Sequence, residues 1–215
     1  MKDLEPHRLE YESIPLDVAD VHPDPVEQVR RWTADWADIA PKEPQAAVLA
    51  TAGADGQPGA RNVLVRALDE RGCAFFTNYE SRKGQHIVDN PQAVLLFSWV
   101  PVNRQIELTG PIAKVDAAES DEYFATRPRG SQIAAWASDQ STVLSGRAAL
   151  EERFGAAEER FGDGPVPRPP HWGGYRLVPR TIELWQGRPN RLHDRLRYTR
   201  DAEAVGGWRL ERLSP

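Results

Sequence analysis

The residues best suited to chemistry lie near the C-terminal end, in the stretch from Trp185 to Arg195. Turn formers occupy its middle, and apolar runs typical of strands lie on both sides. If the second strand begins at Arg191, its period of two places Arg191, His193 and Arg195 on one face. Two guanidiniums beside an imidazole suit a phosphate, a carboxylate or a flat ring on which arginine stacks. A solvated strand face with a chance histidine is the alternative.

A second group of basic residues lies at strand ends and at a helix start. Arg61 and Arg66 bracket a short apolar run, and Arg82 and Lys83 follow Ser81, a residue that commonly caps helices. Free backbone N–H groups and the helix dipole favour an anion at such a start. The segment is therefore a candidate phosphate site, and a solvated loop explains it equally well. It is not a nucleotide P-loop, because the glycines of that motif are missing.

Two weaker signals involve polar side chains farther along the chain. Tyr123, Arg127 and Ser131 follow one another in steps of four, which is helical spacing. Their phenol, guanidinium and hydroxyl form a second candidate anion site, although ordinary helix-end capping fits as well. Gln105 begins a strand, and its amide can both donate to and accept from the edge of a heterocycle. A polar strand end is the commoner meaning of such a glutamine.

Composition excludes several classes of protein. The net charge of -5 argues against general nucleic-acid binding and fits a local basic site for a small anion. The single cysteine, Cys73, and the absence of a signal-peptide pattern or a long apolar run favour a cytoplasmic protein. The histidines show no metal-ligand spacing, so no metal site is expected. Arginines without an obvious nucleophile or metal point to a bound organic cofactor.

The periodicity predicts an antiparallel β-barrel with flanking helices. Helices are expected over 25–39, from Ser81 to before Asn90, up to Thr126, over 131–138 and over 146–162. Strands are expected over 46–51, 62–68, 73–77, 93–99 and 105–109, with a sixth ending near 115 and further strands closing the chain. Short strands without long intervening helices favour a barrel over a parallel sheet. Residues 1–23 are predicted to form an N-terminal arm, either mobile or laid over a partner, followed by one domain over 24–215.

Taken together, these segments resemble the pyridoxamine 5'-phosphate oxidase family from about residue 24 to the C-terminus. The matching stretches are Arg61–Arg66, Phe75–Asn78, Ser81–Lys83, Arg104–Gln105, Tyr123–Phe124, Arg127–Gln132, Ala135–Ser138, Gln140–Ser141, Trp172–Tyr175, Trp185–Gly187 and Arg191–Arg195. The last group, Arg-Leu-His-Asp-Arg, is the most specific. The resemblance implies an α+β, mainly β, Greek-key split barrel that binds FMN, and a homodimer with flavin at the subunit interface. The C-terminal part of the domain is then the dimerisation and substrate region.

The resemblance also implies roles for single residues. Arg61, Arg82 and Lys83 are expected to hold the FMN phosphate and ribityl chain, and Tyr123, Arg127 and Ser131 the phosphate of the vitamin substrate. Arg191 and His193 are expected at the reacting carbon as catalytic residues. The remaining expected cofactor-binding residues are Val63, Leu64, Arg66, Phe76, Thr77, Gln105, Gln140, Ser141, Trp185 and Arg195.

One position departs from the family. Arg66 occupies a place that is usually lysine and contacts both flavin and substrate, and arginine is not equivalent to lysine there. Strand alternation also directs Arg61 and Arg66 to opposite faces unless a bulge intervenes. The implied reaction oxidises pyridoxamine or pyridoxine 5'-phosphate to pyridoxal 5'-phosphate, with dioxygen reduced to hydrogen peroxide. The alternatives are a phenazine-pathway type of oxidase acting on another anionic ring, and a flavin- or pyridoxal-phosphate-binding protein with little turnover.

Overall fold

The protein is described by a computed structural model over residues 14–39 and 42–215. Its strands are β1 Ala46–Ala52, β2 Pro58–Asp69, β3 Gly72–Asn78, β4 Gln92–Trp99, β5 Arg104–Lys114, β6 Trp172–Leu177, β7 Thr181–Gln186, β8 Asp194–Arg200 and β9 Trp208–Leu213. Its α-helices are α1 Pro25–Ile39, α2 Arg82–Asp89, α3 Ala117–Ala125, α4 Arg129–Ala137 and α5 Arg147–Phe161. The helices predicted from periodicity are confirmed within a few residues.

The strands form one sheet in the order β4-β1-β2-β3-β6-β5-β7-β8-β9. Strand β4 also pairs with β5, so six strands close into an antiparallel barrel. The predicted split-barrel fold is therefore confirmed. By their contacts, the described residues divide into two compact units. Unit 1 contains residues 14–39, 42–44, 95–108 and 180–215, and unit 2 contains Gln45–Val94 and Thr109–Pro179.

The core of unit 2 is organised around β3. This strand pairs with β2 on one side and β6 on the other, and Cys73, Ala74 and Phe75 are fully buried. An uninterrupted apolar run of this kind suits a strand covered on both faces. A second buried cluster lies among α3, α4 and α5, and it includes Phe124, Ile133 and Trp172.

Unit 1 shows the alternation expected of strands with one buried face. Ile182 and Leu184 in β7 are fully buried, and so is Leu196 in β8. Residues 14–23 of the predicted N-terminal arm belong to this unit, whereas residues 1–13 lie outside the described residues. The Leu16 N–H donates to Asp194 Oδ2 at 3.1 Å, so part of the predicted arm is hydrogen-bonded to β8.

Two strand predictions are wrong in detail. The sequence suggested two strands separated at Gly110 and Pro111, but β5 runs through both residues without a break. Pro111 lacks an N–H to donate, yet its carbonyl accepts from the Val178 N–H at 2.9 Å, so the strand keeps a partner there. The second error, at the start of β8, affects the candidate site and is described with it.

Candidate active site

Three cations form what we call the basic cluster: Arg61 in β2, and Arg82 and Lys83 in the first turn of α2. Ser81 caps this helix, and its hydroxyl accepts from the Gly84 N–H at 3.4 Å. A Cβ atom on Gly84 would lie 1.8 Å from the Tyr79 carbonyl oxygen, so only glycine fits this tight helix start. The expected cation-rich helix N-terminus is therefore present.

Arg61 is fixed by neutral oxygen atoms instead of a carboxylate. Its Nη1 donates to the Thr51 hydroxyl at 2.8 Å, the Gly59 carbonyl at 2.9 Å and the Leu49 carbonyl at 3.1 Å. Burial lowers the pKa of Arg61 from its usual value, and the nearby charge of Arg82 lowers it further. The guanidinium is thus held in place, and among the described residues no carboxylate balances its charge.

Lys83 is the more strongly perturbed member of the cluster. Its Nζ donates to the hydroxyls of Thr77 and Ser81, both at 3.0 Å, and to the side-chain oxygen of Gln140. Burial, with a smaller contribution from the charge of Arg61, lowers the pKa of Lys83 to about 8. A lysine shifted in this direction gains from a nearby anion, because the anion favours the charged form.

The loop after α4 brings two further predicted residues to the basic cluster. Gln140 contacts Lys83, and the Ser141 hydroxyl accepts from the Arg82 N–H at 3.3 Å. Ser141 has a φ of 75°, a left-handed conformation that few non-glycine residues adopt. At this residue the unusual backbone conformation therefore coincides with a side-chain hydrogen bond to the first residue of α2. Gln140 and Ser141, which only the family resemblance predicted, therefore lie beside the start of α2.

A cavity of about 720 Å³ lies beside the basic cluster within unit 2. The predicted site residues in its lining are Leu64, Arg66, Phe76, Thr77, Tyr123, Arg127, Ser131 and Gln140. Thr77 and Gln140 belong to both places, since they line the cavity and also accept from Lys83. The predicted convergence of Tyr123, Arg127 and Ser131 is therefore present, and helix-end capping alone does not account for it. Val63, half-buried opposite Ala47 in β1, is not among the lining residues.

Stacked aromatic rings form one wall of the cavity. The rings of Phe76 and Tyr123 stack with centroids 4.0 Å apart, and Trp172 stacks on Phe76 at 5.8 Å. The Arg127 guanidinium carbon lies 4.5 Å from the centroid of Trp172, a cation–π contact. Burial, together with the charge of Arg66, lowers the pKa of Arg127, and its buried Nη1 has no hydrogen-bond partner in the described chain. A buried donor of this kind needs an acceptor.

Arg66 reaches the cavity because β2 is irregular at that point. The pairing of β2 with β3 shifts register between Val65 and Ala67, so Arg66 lies on the bulge that strand alternation required. Its guanidinium carbon is 6.0 Å from the ring centroid of Tyr123. Arg66 and Arg127 are therefore two separate cations that line one cavity.

None of the cations of the basic cluster or the cavity has a carboxylate partner in the part of the chain that is described. The ion pairs of unit 2 are made by other arginines, namely Arg71, Arg147, Arg153, Arg168 and Arg176. Arg61, Lys83 and Arg127 are half-buried, and because a partly buried charge without a counterion is costly, these three indicate a site for an anionic ligand.

The predicted residues of unit 1 are arranged differently from the expectation. Strand β8 begins at Asp194, paired with Gln186, so the predicted strand start at Arg191 and its face shared with His193 and Arg195 are wrong. Arg191 ends a 3-10 turn and has a φ of 62°, and Asn190 has a φ of 57°. These left-handed residues turn the chain before pairing begins, which prevents a regular period of two.

His193 nevertheless lies close to other predicted residues. Its ring packs on Trp185 with centroids 4.6 Å apart, and its Nδ1 accepts from the Arg188 N–H at 3.1 Å. Burial lowers the pKa of His193, and the charge of Arg191 lowers it further, which keeps the imidazole neutral near pH 7. Two other predicted residues of unit 1 have different surroundings. Arg195 forms an ion pair with Glu183 at 2.7 Å. Gln105 is half-buried near the start of β5.

Comparisons with known proteins identify the family. A family described as pyridoxamine 5'-phosphate oxidase matches residues 36–161, and a region described as the pyridoxine 5'-phosphate oxidase C-terminal dimerisation region matches residues 172–215. A pyridoxine/pyridoxamine 5'-phosphate oxidase from Burkholderia cenocepacia is 57% identical over the full length of both chains. The chain belongs to the pyridoxamine 5'-phosphate oxidase family.

Solved structures agree with this membership. PhzG from Burkholderia lata, in complex with tetrahydrophenazine-1-carboxylic acid, is 32% identical, with a TM-score of 0.85 over 96% of this chain and 100% of that one. A pyridoxamine 5'-phosphate oxidase-related, FMN-binding protein from Nostoc punctiforme has a TM-score of 0.68 at 16% identity, over 89% and 98% of the two chains, and supports the fold. As a member of this oxidase family, the protein is an oxidoreductase.

The sequence interpretation missed part of the cavity wall. Trp172, Asn78 and Ser138 line the cavity, but none of them was predicted as a site residue. A signal was present at Gly173 and Gly174, which follow Trp172. A Cβ atom on Gly174 would lie 2.8 Å from the Phe76 ring, so this glycine lets β6 pass directly beside the stacked aromatics.

Two negative findings concern other kinds of site. Over residues 14–39 and 42–215, no group of three or more histidine, cysteine, aspartate or glutamate side chains is placed to hold a metal ion. Over the same residues, no helix combines the length and apolar character needed to cross a bilayer.

Proposed function

We propose that this protein is an FMN-dependent oxidase that converts pyridoxamine 5'-phosphate, pyridoxine 5'-phosphate or both to pyridoxal 5'-phosphate. Dioxygen is reduced to hydrogen peroxide, and the amine substrate also consumes water and releases ammonia. The active protein is a homodimer with FMN at the subunit interface. The observation that carries the proposal is the pair of anion-suited places in unit 2, the basic cluster and the cavity, one for each phosphate.

The basic cluster fits the phosphate of FMN. A phosphate monoester brings nearly two negative charges and several acceptor oxygens, and the cluster offers three cations without carboxylate partners among the described residues. The pKa of Lys83 is lowered to about 8 because its charge is partly buried, and a bound anion would stabilise that charge. Arg61, Arg82 and Lys83 hold the phosphate, and Ser141 and Gln140 supply neutral polar contacts beside it.

The cavity fits the phosphorylated substrate. Arg127 has a buried Nη1 without a partner in the described chain, and Tyr123 and Ser131 add hydroxyl donors to the same lining. Arg66 contributes a second charge to this cavity. The stacked rings of Phe76, Tyr123 and Trp172 provide an apolar surface beside these charges, which suits a substrate that is part ring and part phosphate.

The chemistry itself comes from the cofactor. Bound FMN supplies a two-electron acceptor for the hydride of the substrate carbon and a route for those electrons to dioxygen. The protein contributes binding, orientation and exclusion of water. Arg191 covers the substrate ring beside the reacting carbon, and His193 orients the substrate or accepts a proton there. A neutral His193, as its lowered pKa provides, is the form that can accept.

The remaining cofactor contacts are predictions from the family. Val63, Leu64, Arg66, Phe76 and Thr77 are assigned to FMN from β2 and β3. Gln105, Trp185 and Arg195 are assigned to its ring system.

A second candidate function is oxidation of another anionic ring substrate. The similarity to PhzG, whose structure contains tetrahydrophenazine-1-carboxylic acid, favours it, and so does arginine at position 66. A carboxylate carries one charge, whereas the cavity offers two guanidiniums, those of Arg66 and Arg127, with the hydroxyls of Tyr123 and Ser131. This excess of positive charge and donors favours a phosphate, and the vitamin substrate is therefore preferred.

A peroxide assay tests the proposal. FMN-loaded protein is mixed with pyridoxamine and pyridoxine 5'-phosphates, with their unphosphorylated forms and with a reduced phenazine carboxylate. We expect one hydrogen peroxide for each pyridoxal 5'-phosphate formed, and little turnover without the phosphate. Oxidation of the phenazine alone would support the second function. Tight binding of the vitamers without peroxide would indicate a binding protein.

A further inference from the structure

A buried histidine outside the assigned site contacts the basic cluster indirectly. His86 lies on the inward face of α2 and is only 9% exposed. Its Nδ1 is 3.2 Å from the Thr51 hydroxyl, and the same hydroxyl accepts from Arg61 Nη1 at 2.8 Å. Arg61, Thr51 and His86 therefore form a continuous hydrogen-bonded chain from β2 through β1 to α2.

The direction of this chain follows from the chemistry of its ends. Arginine can only donate, so the Thr51 oxygen is an acceptor for Arg61. The single hydroxyl proton of Thr51 is then available to His86 Nδ1, provided that the imidazole is neutral with its proton on Nε2. Protonation of His86 turns Nδ1 into a donor. Two cationic groups then converge on one hydroxyl, and the Thr51 proton loses its acceptor.

Close packing leaves little room to relieve that conflict. A Cβ atom on Gly59 would lie 2.7 Å from Arg61 Nη2 and 3.5 Å from His86 Cε1, so both side chains crowd the same backbone. The other charged groups near the ring are Asp55 and Asp89, whose carboxylates share with His86 the space beside Gly53. Both aspartates are exposed, whereas Arg61 is half-buried. Water therefore screens the aspartate charges more than it screens the charge of Arg61.

We propose that neutral His86 is a positioning residue for Arg61, acting through Thr51, and that protonation of His86 weakens the binding of the phosphate that Arg61 holds. The inference rests on the proposed FMN site. It adds a response to acid that the direct phosphate contacts do not contain. His86 does not touch the phosphate, so its effect appears in affinity and in its dependence on pH.

The test is a titration of the full-length apoprotein with FMN, followed by quenching of flavin fluorescence. Wild type is compared with His86→Asn, whose side-chain oxygen replaces the Nδ1 acceptor without titrating, and with His86→Phe, which lacks the acceptor. Because histidine can take up a proton and asparagine cannot, we expect wild type to lose about tenfold more affinity than His86→Asn between about pH 8 and about pH 5.5. At about pH 8, Asn should stay within about twofold of wild type and Phe should weaken binding about fivefold.

The phosphate of FMN also titrates in this range, but that effect is common to wild type and His86→Asn and cancels in their comparison. His22→Asn, in unit 1, controls for the loss of a histidine as such and should follow the wild-type profile. Identical pH profiles for wild type and His86→Asn would overturn the inference and leave the FMN site standing. Failure of wild type to bind FMN at any pH would overturn the proposed cofactor site, and the inference with it.

Thr51→Val provides an independent check of the hydrogen-bonded chain. If His86 acts through Thr51, this variant should show only the pH dependence that His86→Asn retains, and adding His86→Phe should weaken binding no further. Additive effects of the two substitutions would contradict the proposed chain.

Discussion

The arginines of the candidate site in unit 2 differ from the ion-paired arginines of unit 1 in what compensates their charge. In unit 1, Arg195 pairs with Glu183 at 2.7 Å, Arg212 with Asp194 at 2.7 Å and Arg104 with Asp35 at 3.0 Å. In unit 2, Arg61 is held by carbonyl and hydroxyl oxygens, and Arg127 by an aromatic face. Residues of one type thus serve two purposes, which their neighbours reveal and the sequence does not.

The directions of the pKa shifts express the same contrast. The hydrogen bond from Glu183 raises the pKa of Arg195, whereas burial lowers the pKa of Arg61 and of Arg127. A partner carboxylate favours the charged form, and burial without one disfavours it. The charges of Arg61 and Arg127 are therefore held at a cost in folding free energy that an anionic ligand offsets. We infer that these two half-buried arginines, which have no carboxylate partner among the described residues, mark ligand sites.

Removing Arg127 should give the largest effect. For Arg127→Ala we expect kcat/KM with the phosphorylated vitamer to fall about 100-fold, roughly 3 kcal/mol, because a charge-assisted contact to phosphate is lost. Activity with an unphosphorylated vitamer, already low, should change little. Steady-state peroxide release on both substrates measures the two values.

The matched control is Arg153→Ala, which removes an arginine of unit 2 that is paired with Asp139 at 2.9 Å and half exposed. Exposed ion pairs contribute little to stability, so this variant should retain wild-type kinetics. If Arg153→Ala and Arg127→Ala impaired the enzyme equally, the distinction between paired and unpaired arginines would fail.

From the lowered pKa of Lys83 we predict that FMN affinity changes about tenfold with pH. Its pKa in the protein without ligand is about 8, below the usual 10.5, so the charge is present below that pH and lost above it. Phosphate binding favours the charged form, and above pH 8 the lysine must first take up a proton. Lys83 itself should therefore cause no loss of FMN affinity below about pH 8 and about a tenfold loss at about pH 9.

Lys83→Arg sharpens this test, because arginine stays protonated throughout the range. Whatever its affinity at pH 8, the affinity of this variant should not decline between pH 8 and 9. A wild-type affinity that stays constant up to about pH 9.5 would show that Lys83 carries no phosphate contact.

Sequence reasoning predicted the fold well because local and global signals agreed. The apolar periodicity of α1, the serine cap of α2 and the short strands around them all indicate one architecture. The basic cluster was also predictable in outline, since Ser81, Arg82 and Lys83 are adjacent in sequence. Its electrostatic character was not, because the burial of Lys83 depends on Thr77 and on Gln140, a residue 57 positions away.

The failures occurred where the backbone departs from its regular period. The strand prediction assumed alternation from Arg191 onward, but Arg191 has a positive φ and strand β8 begins only at Asp194. The bulge at Arg66 is the opposite case, because the sequence predicted an irregularity there. Arg61 and Arg66 could reach one ligand only if a bulge lay between them, and the register of β2 shifts between Val65 and Ala67. Trp172 was missed as a site residue because aromatic residues are usually core, and this one is both buried and part of the cavity lining.

The smallest expected effect concerns Arg66, and it separates the two candidate substrates. Arg66→Lys keeps one charge in the cavity but removes the fork geometry and weakens the cation–π contact with Tyr123. A phosphate accepts from lysine almost as readily as from arginine, so kcat/KM for the phosphorylated vitamer should change by about threefold or less. A planar carboxylate pairs with arginine through two parallel hydrogen bonds, and a phenazine carboxylate should lose more, about tenfold. Measuring both substrates on both proteins therefore tests which anion Arg66 contacts. A larger loss on the vitamer than on the phenazine carboxylate would contradict the expectation that a phosphate tolerates lysine at position 66 better than a carboxylate does.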